Sequence, residues 1–163
     1  MTILRILLIV WAALFYLVAS ARATTTQDAL AILCPGHQDL AEHVDAAARR
    51  YLQHPVTLVA QMRIESNCNM AAVGSHGERC AMQLLGVARN GHSGRELAAS
   101  PALCIATGAR WLSLRQVDCG GLFLGLSGYN ARTCQGGKRY ARKVLAAVAK
   151  FWRTIGAKGE PKS

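Results

Sequence analysis

Strict alternation of apolar and polar residues is almost absent from this chain, so its pattern predicts helices rather than strands. Residues 27–33 read as a short helix with Thr26 as a candidate cap, ended by Pro35 and Gly36. Residues 38–53 are helical by composition. Pro55 opens the next helix, where its missing N–H costs nothing, and that helix runs to Ser66. Residues 67–80, rich in Asn, Gly and Ser, read as a long loop, and the apolar run 81–85 as a small strand or a buried turn. Ser93 caps a short helix with Glu96 at its third position. Pro101 starts a helix to Val117, the stretch 118–121 breaks it, and a second helix covers 122–131. The last helix spans 138–154, with Tyr140, Val144, Ala147, Val148 and Phe151 on one face as a core stripe. A loose polar tail is expected over 156–163.

One apolar run falls outside this scheme. Arg5 precedes an unbroken apolar stretch from Ile6 to Ala19, and Ala21-Arg22-Ala23 follows as a small-x-small site. This is the anatomy of a secretory signal peptide over residues 1–23. The alternative is an uncleaved anchor, but the stretch is short for a hydrocarbon core of about 30 Å. The predicted organisation is a signal peptide (1–23), an N-terminal helical extension (24–54), a catalytic domain (55–155) and the tail (156–163). The expected location is periplasmic or secreted, with no stable membrane span after cleavage.

Composition agrees with a folded domain: of 163 residues 52% are hydrophobic and 17% charged, which excludes a disordered charged tail. The net charge of +10 favours anionic partners. Export argues against nucleic acid, which is not expected as a partner, and simple solubility is the plainer explanation of the charge.

Candidate chemistry concentrates after Pro55. Leu58, Met62 and Glu65 fall at i, i+4 and i+7, with Val59 extending the stripe, so a carboxylate continues an apolar face. Burial there penalises the charged form and raises the pKa, which suits a general acid. On spacing alone, a wet Glu at a helix end is the better explanation of the position. The five histidines His37, His43, His54, His76 and His92 form no tight pairs and no Cys-x-x-Cys occurs, so neither a metal site nor a cofactor is expected. Ser93, Ser100 and Ser127 lack the context of a nucleophile elbow.

The wider pattern decides the matter. Glu65, Ser66, Asn69, Ala72, Val73, Gly77, Met82 and Gln83 stand, without insertion, where the soluble lytic transglycosylases have Glu-Ser, Asn-Pro, Ala-Val-Ser, Gly and Gly-Leu-Met-Gln. Pro101, Ile105, Gly108 and Leu112 resemble that family's next helix, Gly128-Tyr129-Asn130-Ala131 its Ala-Tyr-Asn-Ala-Gly, and residues 140–145 its closing Tyr-x-x-x-Val-Leu. The resemblance spans about residues 56–151. It departs at Met70 for Pro, Gly74 for Ser, Cys80 and Ala81 for Gly-Leu, Cys104 for Asn and Arg132 for Gly. Gly74 matters most, because the Ser there orients catalytic groups in the family; Ser75 is the candidate substitute.

The resemblance implies a lysozyme-like, mainly α fold and cleavage of the MurNAc–GlcNAc β-1,4 bond of peptidoglycan glycan strands. It implies Glu65 as the only catalytic carboxyl and a 1,6-anhydro-muramyl product. Ser66, Ser75, Met82, Gln83, Tyr129 and Asn130 are the implied substrate-binding set, with Met82 and Gln83 lining the cleft and the Tyr129 hydroxyl near Glu65 or the N-acetyl group. Small enzymes of this kind serve a secretion, conjugation, pilus or phage machine. The rivals are a goose-type-like lysozyme hydrolysing the same bond, and a non-enzymatic basic helical protein binding wall or membrane.

Six cysteines in an exported chain suggest three disulfides, with buried free thiols as the alternative. Cys119 and Cys134 flank a helix of about ten residues, roughly 15 Å long, which argues against their pairing. If the two helices form an antiparallel hairpin, Cys104 meets Cys134. Cys68 and Cys80 then close the loop, leaving Cys34 with Cys119.

Overall fold

The computed structural model describes residues 25–131 and 133–159, and the segment read as a signal peptide lies outside them. Helix α1 covers residues 25–33 and is followed by a 3-10 turn, Gln38–Leu40. Then come α2 (Ala41–Arg50), α3 (Pro55–Ser66), a second 3-10 turn (Gly86–Arg89), α4 (Gly94–Ala99), α5 (Pro101–Cys119), α6 (Leu122–Asn130) and α7 (Lys138–Gly159). The described chain is mainly helical. The run expected as strand or turn is a buried turn, whose extended pairing is limited to isolated bridges from Arg79 to Val73 and Leu84. No described helix is long and apolar enough to cross a membrane.

The local signals act as their chemistry dictates. Pro55 sits in the first turn of α3, and His54 caps it by accepting from the Val56 N–H. Ser93 and Glu96 close a reciprocal capping box on α4. Ser100 and Pro101 start α5, and Gly120 ends it at φ 79°, a left-handed conformation that suits glycine. Two expectations at the chain ends change. Thr26 lies inside α1, buried, where its hydroxyl donates to Asp45 instead of capping. Helix α7 continues through the expected tail to Gly159, because 154–158 holds no proline and keeps Ile155 half-buried on the core.

α5 is the spine, packed against α2, α4 and α6, while α7 closes over α3 and α6. α3 is not amphipathic: every residue from Val56 to Met62 is buried, including Thr57 and Gln61. A helix buried on all sides has no wet face, so Glu65 reaches the surface only because α3 ends there. Leu30, Leu40 and Val44, from before Pro55, share one core with Leu58, Ile105, Leu112 and Phe151.

All six cysteines are paired, and none of the three expected pairs forms. The bridges are Cys34–Cys68, Cys80–Cys104 and Cys119–Cys134, with Cα separations of 5.8, 6.2 and 5.5 Å. The hairpin argument fails on length. α5 has 19 residues and α6 has 9, so α6 by itself cannot reach back to Cys104, and its last turn lies beside Arg115 and Cys119. α6 also lies tight against α5. A Cβ on Gly125 would strike Gln116, and one on Gly128 would come within 2.9 Å of the Cys119 sulfur. Cys119 therefore faces the last turn of α6 rather than its start, and the chain after Asn130 brings Cys134 back to it.

Candidate functional site

α3 delivers Glu65 to a cleft of about 570 Å³. Behind it the chain turns through two consecutive left-handed residues, Asn67 (φ 58°) and Cys68 (φ 66°), whose amides return to the Arg63 and Met62 carbonyls. The far wall has two more, Cys80 (φ 60°) and Gln83 (φ 47°). Such conformations cost a non-glycine residue roughly 1–3 kcal/mol each and persist where the surroundings over-determine them. Two of the three disulfides begin or end on these residues, tying Cys68 to Cys34 and Cys80 to α5.

Glu65 is partly buried, and its carboxyl pKa is raised to about 7. Burial is the main cause. A hydrogen bond from Tyr140 pulls the other way, and the negative charge of Glu78 adds a smaller upward push. Tyr140 is buried on α7 and also receives the Gln61 amide at 3.4 Å. The order is thus Gln61 to Tyr140 to Glu65. The Gln61 carbonyl oxygen has no hydrogen-bond partner among the described residues. Tyr129 lies parallel to Tyr140 with ring centroids 6.3 Å apart, and donates to the Met82 carbonyl at 2.8 Å. Burial, then the charge on Glu65, push both phenols well above their ordinary range, so they stay protonated as donors.

Gln83, Tyr129 and Asn130 line the cleft with Glu65. Met82 does not: it is fully buried, with its side chain against Gly108, where a Cβ would lie 2.5 Å from the Met82 methyl. It serves the site through its carbonyl. The Ser66 hydroxyl is spent on the Ala81 carbonyl at 3.0 Å, linking the end of α3 to the turn over the cleft. Ser75 is exposed and contacts the His76 ring at 3.1 Å, one residue away from the lining.

Gly74 has a plain structural reason. A Cβ there would collide with the Glu78 carboxylate and come within 2.6 Å of the Gln83 side-chain oxygen. The Glu78 carboxylate occupies the room that a serine side chain would need. It accepts from the His76 N–H at 2.9 Å and pairs with the His76 ring at 3.3 Å. Hydrogen bonding from its own backbone N–H, then from His76, holds its carboxyl below the usual range. Two carboxyls with opposed proton affinities thus face one cleft, the arrangement that separates an acid from an ionised partner.

Sequence reasoning missed Glu78, Trp111, Arg115, Tyr140 and Gln61. Trp111 and Arg115 were findable as an aromatic and a cation at i, i+4 on α5; the guanidinium lies 5.5 Å from the Trp111 ring and bonds the Gly128 carbonyl. Tyr140 was visible as part of an apolar stripe and as the Tyr of the closing motif, without a place in the site. Nothing in the sequence marks Gln61 among its apolar neighbours. With Leu85 and Val87 exposed beside Trp111, the cleft combines apolar surface with polar groups at its edges. No protein-family model matches the chain, and no curated protein matches it.

Proposed function

We propose that the protein is an exported peptidoglycan lytic transglycosylase of the lysozyme-like kind. The observation that carries this reading is Glu65: a carboxyl raised to about 7, anchored by Tyr140, at the wall of a sugar-sized cleft. The three disulfides fit an oxidising compartment, extracellular or periplasmic. The motif resemblance supplies the reaction. Glu65 gives its proton to the bridging oxygen as the C1–O4 bond breaks, and the substrate's N-acetyl group stabilises the cation. The Glu65 carboxylate then takes the proton of the sugar's own 6-hydroxyl as the C1–O6 bond forms. Glu65 ends protonated, no water is consumed, and the product is a 1,6-anhydro-muramyl end. Local wall remodelling for a secretion, conjugation, pilus or phage machine is the setting this enzyme class serves.

Glu78 favours one second reading. An ionised carboxylate in the same cleft is what hydrolysis of this bond uses to activate water, as in a goose-type-like lysozyme. Digestion of purified peptidoglycan followed by muropeptide mass spectrometry decides. Products lighter by one water support the transglycosylase, hydrated ends the lysozyme, and absence of turnover overturns both.

A further inference from the structure

α7 has a second face that the cleft does not use. Its sequence from Lys138 to Gly159 contains no acidic residue. At 100° per residue, Lys138, Arg139, Arg142, Lys143, Lys150 and Arg153 fall within an arc of about 140°, and all six are exposed. They extend over about 22 Å of helix. Tyr140, Val144 and Phe151 occupy the opposite arc and are buried, so the core and Glu65 lie behind the charged face. Among the described residues the ion pairs are His76–Glu78 and Arg115–Asp118, and neither neutralises it.

One edge of this arc is apolar. Trp152 is 45% exposed, held edge-on by Phe151 and His54. It shares a groove of about 600 Å³ with Leu52, which is 91% exposed. Leu52 sits at φ 53°, a backbone region that disfavours a leucine. The turn is pinned on both sides: the Gln53 N–H returns to the Ala48 carbonyl, and Gln116 on α5 donates to the Gln53 side chain at 2.8 Å. Backbone strain is thus spent on holding a leucine out in water. Arg49 and Arg50 stand exposed just before it; Asp45, the acid lining the groove, accepts from Thr26.

We propose that this face docks the protein on a bilayer bearing anionic headgroups, with Leu52 and Trp152 entering the interfacial layer and the α7 cations lying on the phosphates. A basic face with an aromatic and an aliphatic tip matches such a surface in both charge and polarity. A hydrated polyanion would match the charge and leave Leu52 unexplained. This rests on no assumption about the reaction.

The test is sedimentation of the full chain with phosphatidylcholine vesicles, with and without phosphatidylglycerol, at low and high salt. Any contribution of residues 1–24 by apolar insertion is common to both vesicle types and cancels in the comparison. Preference for the anionic vesicles, weakened by salt, is expected. Changing Arg139, Arg142, Lys143 and Lys150 together to Gln should cost roughly 10²- to 10³-fold in partition, at about fivefold or slightly less per cation. Changing Leu52 and Trp152 to Ser should weaken binding while leaving its salt dependence in place. All six positions are exposed, and unchanged circular dichroism controls for folding. Equal binding to both vesicle types, or an Arg/Lys variant that binds anionic vesicles like the parent, overturns the proposal. Wall digestion assayed in parallel separates this result from that of the proposed reaction.

Discussion

Replacing Glu65 by Gln should abolish wall cleavage and at the same time make the protein more stable at neutral and alkaline pH. The side chain keeps its size and still accepts from Tyr140, but it carries no charge into the low-dielectric wall and no proton to deliver. The magnitude follows from linkage. The folded pKa of about 7 lies above the ordinary value of 4.5. A group raised on folding contributes stability that is complete below the unfolded pKa and is lost as pH rises through the folded one. The loss therefore develops between 4.5 and about 7, and at about 1.4 kcal/mol per unit it amounts to about 3 kcal/mol. Glu65→Gln does not suffer it. Urea unfolding followed by circular dichroism, below and above that window, should show similar stabilities on the acid side. On the alkaline side the variant should be more stable by about 3 kcal/mol. Cleavage, measured by turbidity loss of peptidoglycan, should fall by at least the roughly 10²–10⁴-fold attributed to general acid–base catalysis. In the parent it should decline above pH 7, where Glu65 ionises. Parallel stability curves for the two proteins would refute the buried-acid argument, and near-parental activity in the variant would remove the assignment with it.

Tyr140→Phe removes the hydrogen bond that holds the Glu65 pKa down, so the alkaline limb of the activity profile should move to higher pH; an unmoved or lowered limb contradicts this. The same change strips the buried Gln61 amide of its partner, and unfolding should show a loss of roughly 1–3 kcal/mol. Gly74→Ser should lower activity by displacing Glu78 and Gln83, and Glu78→Ala in the same chain should restore part of it by clearing the space. Removing Cys80 and Cys104 together frees the turn beneath Gln83 and should cost about 3 kcal/mol by the loop-entropy estimate. Non-reduced peptide mapping should return Cys119–Cys134; a Cys104–Cys134 peptide would show that α6 is misplaced along α5.

Most helix boundaries were legible because each is set by chemistry within a few residues: Pro55 and Pro101 at helix starts, the Ser93–Glu96 box, Gly120 at the end of α5. Glu65 was legible for a related reason, since its place at the end of an apolar helix and inside a spaced motif is a one-dimensional fact. The two ends of the described chain were misread where such punctuation is weak. Thr26 resembles a cap but finds a better partner 19 residues away in Asp45, and α7 runs past 154 without meeting a breaker.

The disulfides and the remaining walls of the cleft were decided only by packing. α6 is too short to reach Cys104 by itself, but only the packing shows that its last turn lies beside Arg115 and Cys119 instead of leading the chain back along α5. Pairing Cys119 with Cys134 further requires the glycine-mediated approach of the two helices, which no local pattern encodes. Glu78 belongs to the site because Gly74 leaves space for its carboxylate, a relation between two loop residues that shows only after the loop closes. Gln61 and Tyr140, 79 residues apart, meet because α7 lies across α3. The sequence by itself singled out one carboxyl, by its place in a spaced motif at the end of an apolar helix. The tertiary structure determined how far its pKa is shifted, because burial, the Tyr140 hydrogen bond and the charge on Glu78 all come from segments remote in the chain.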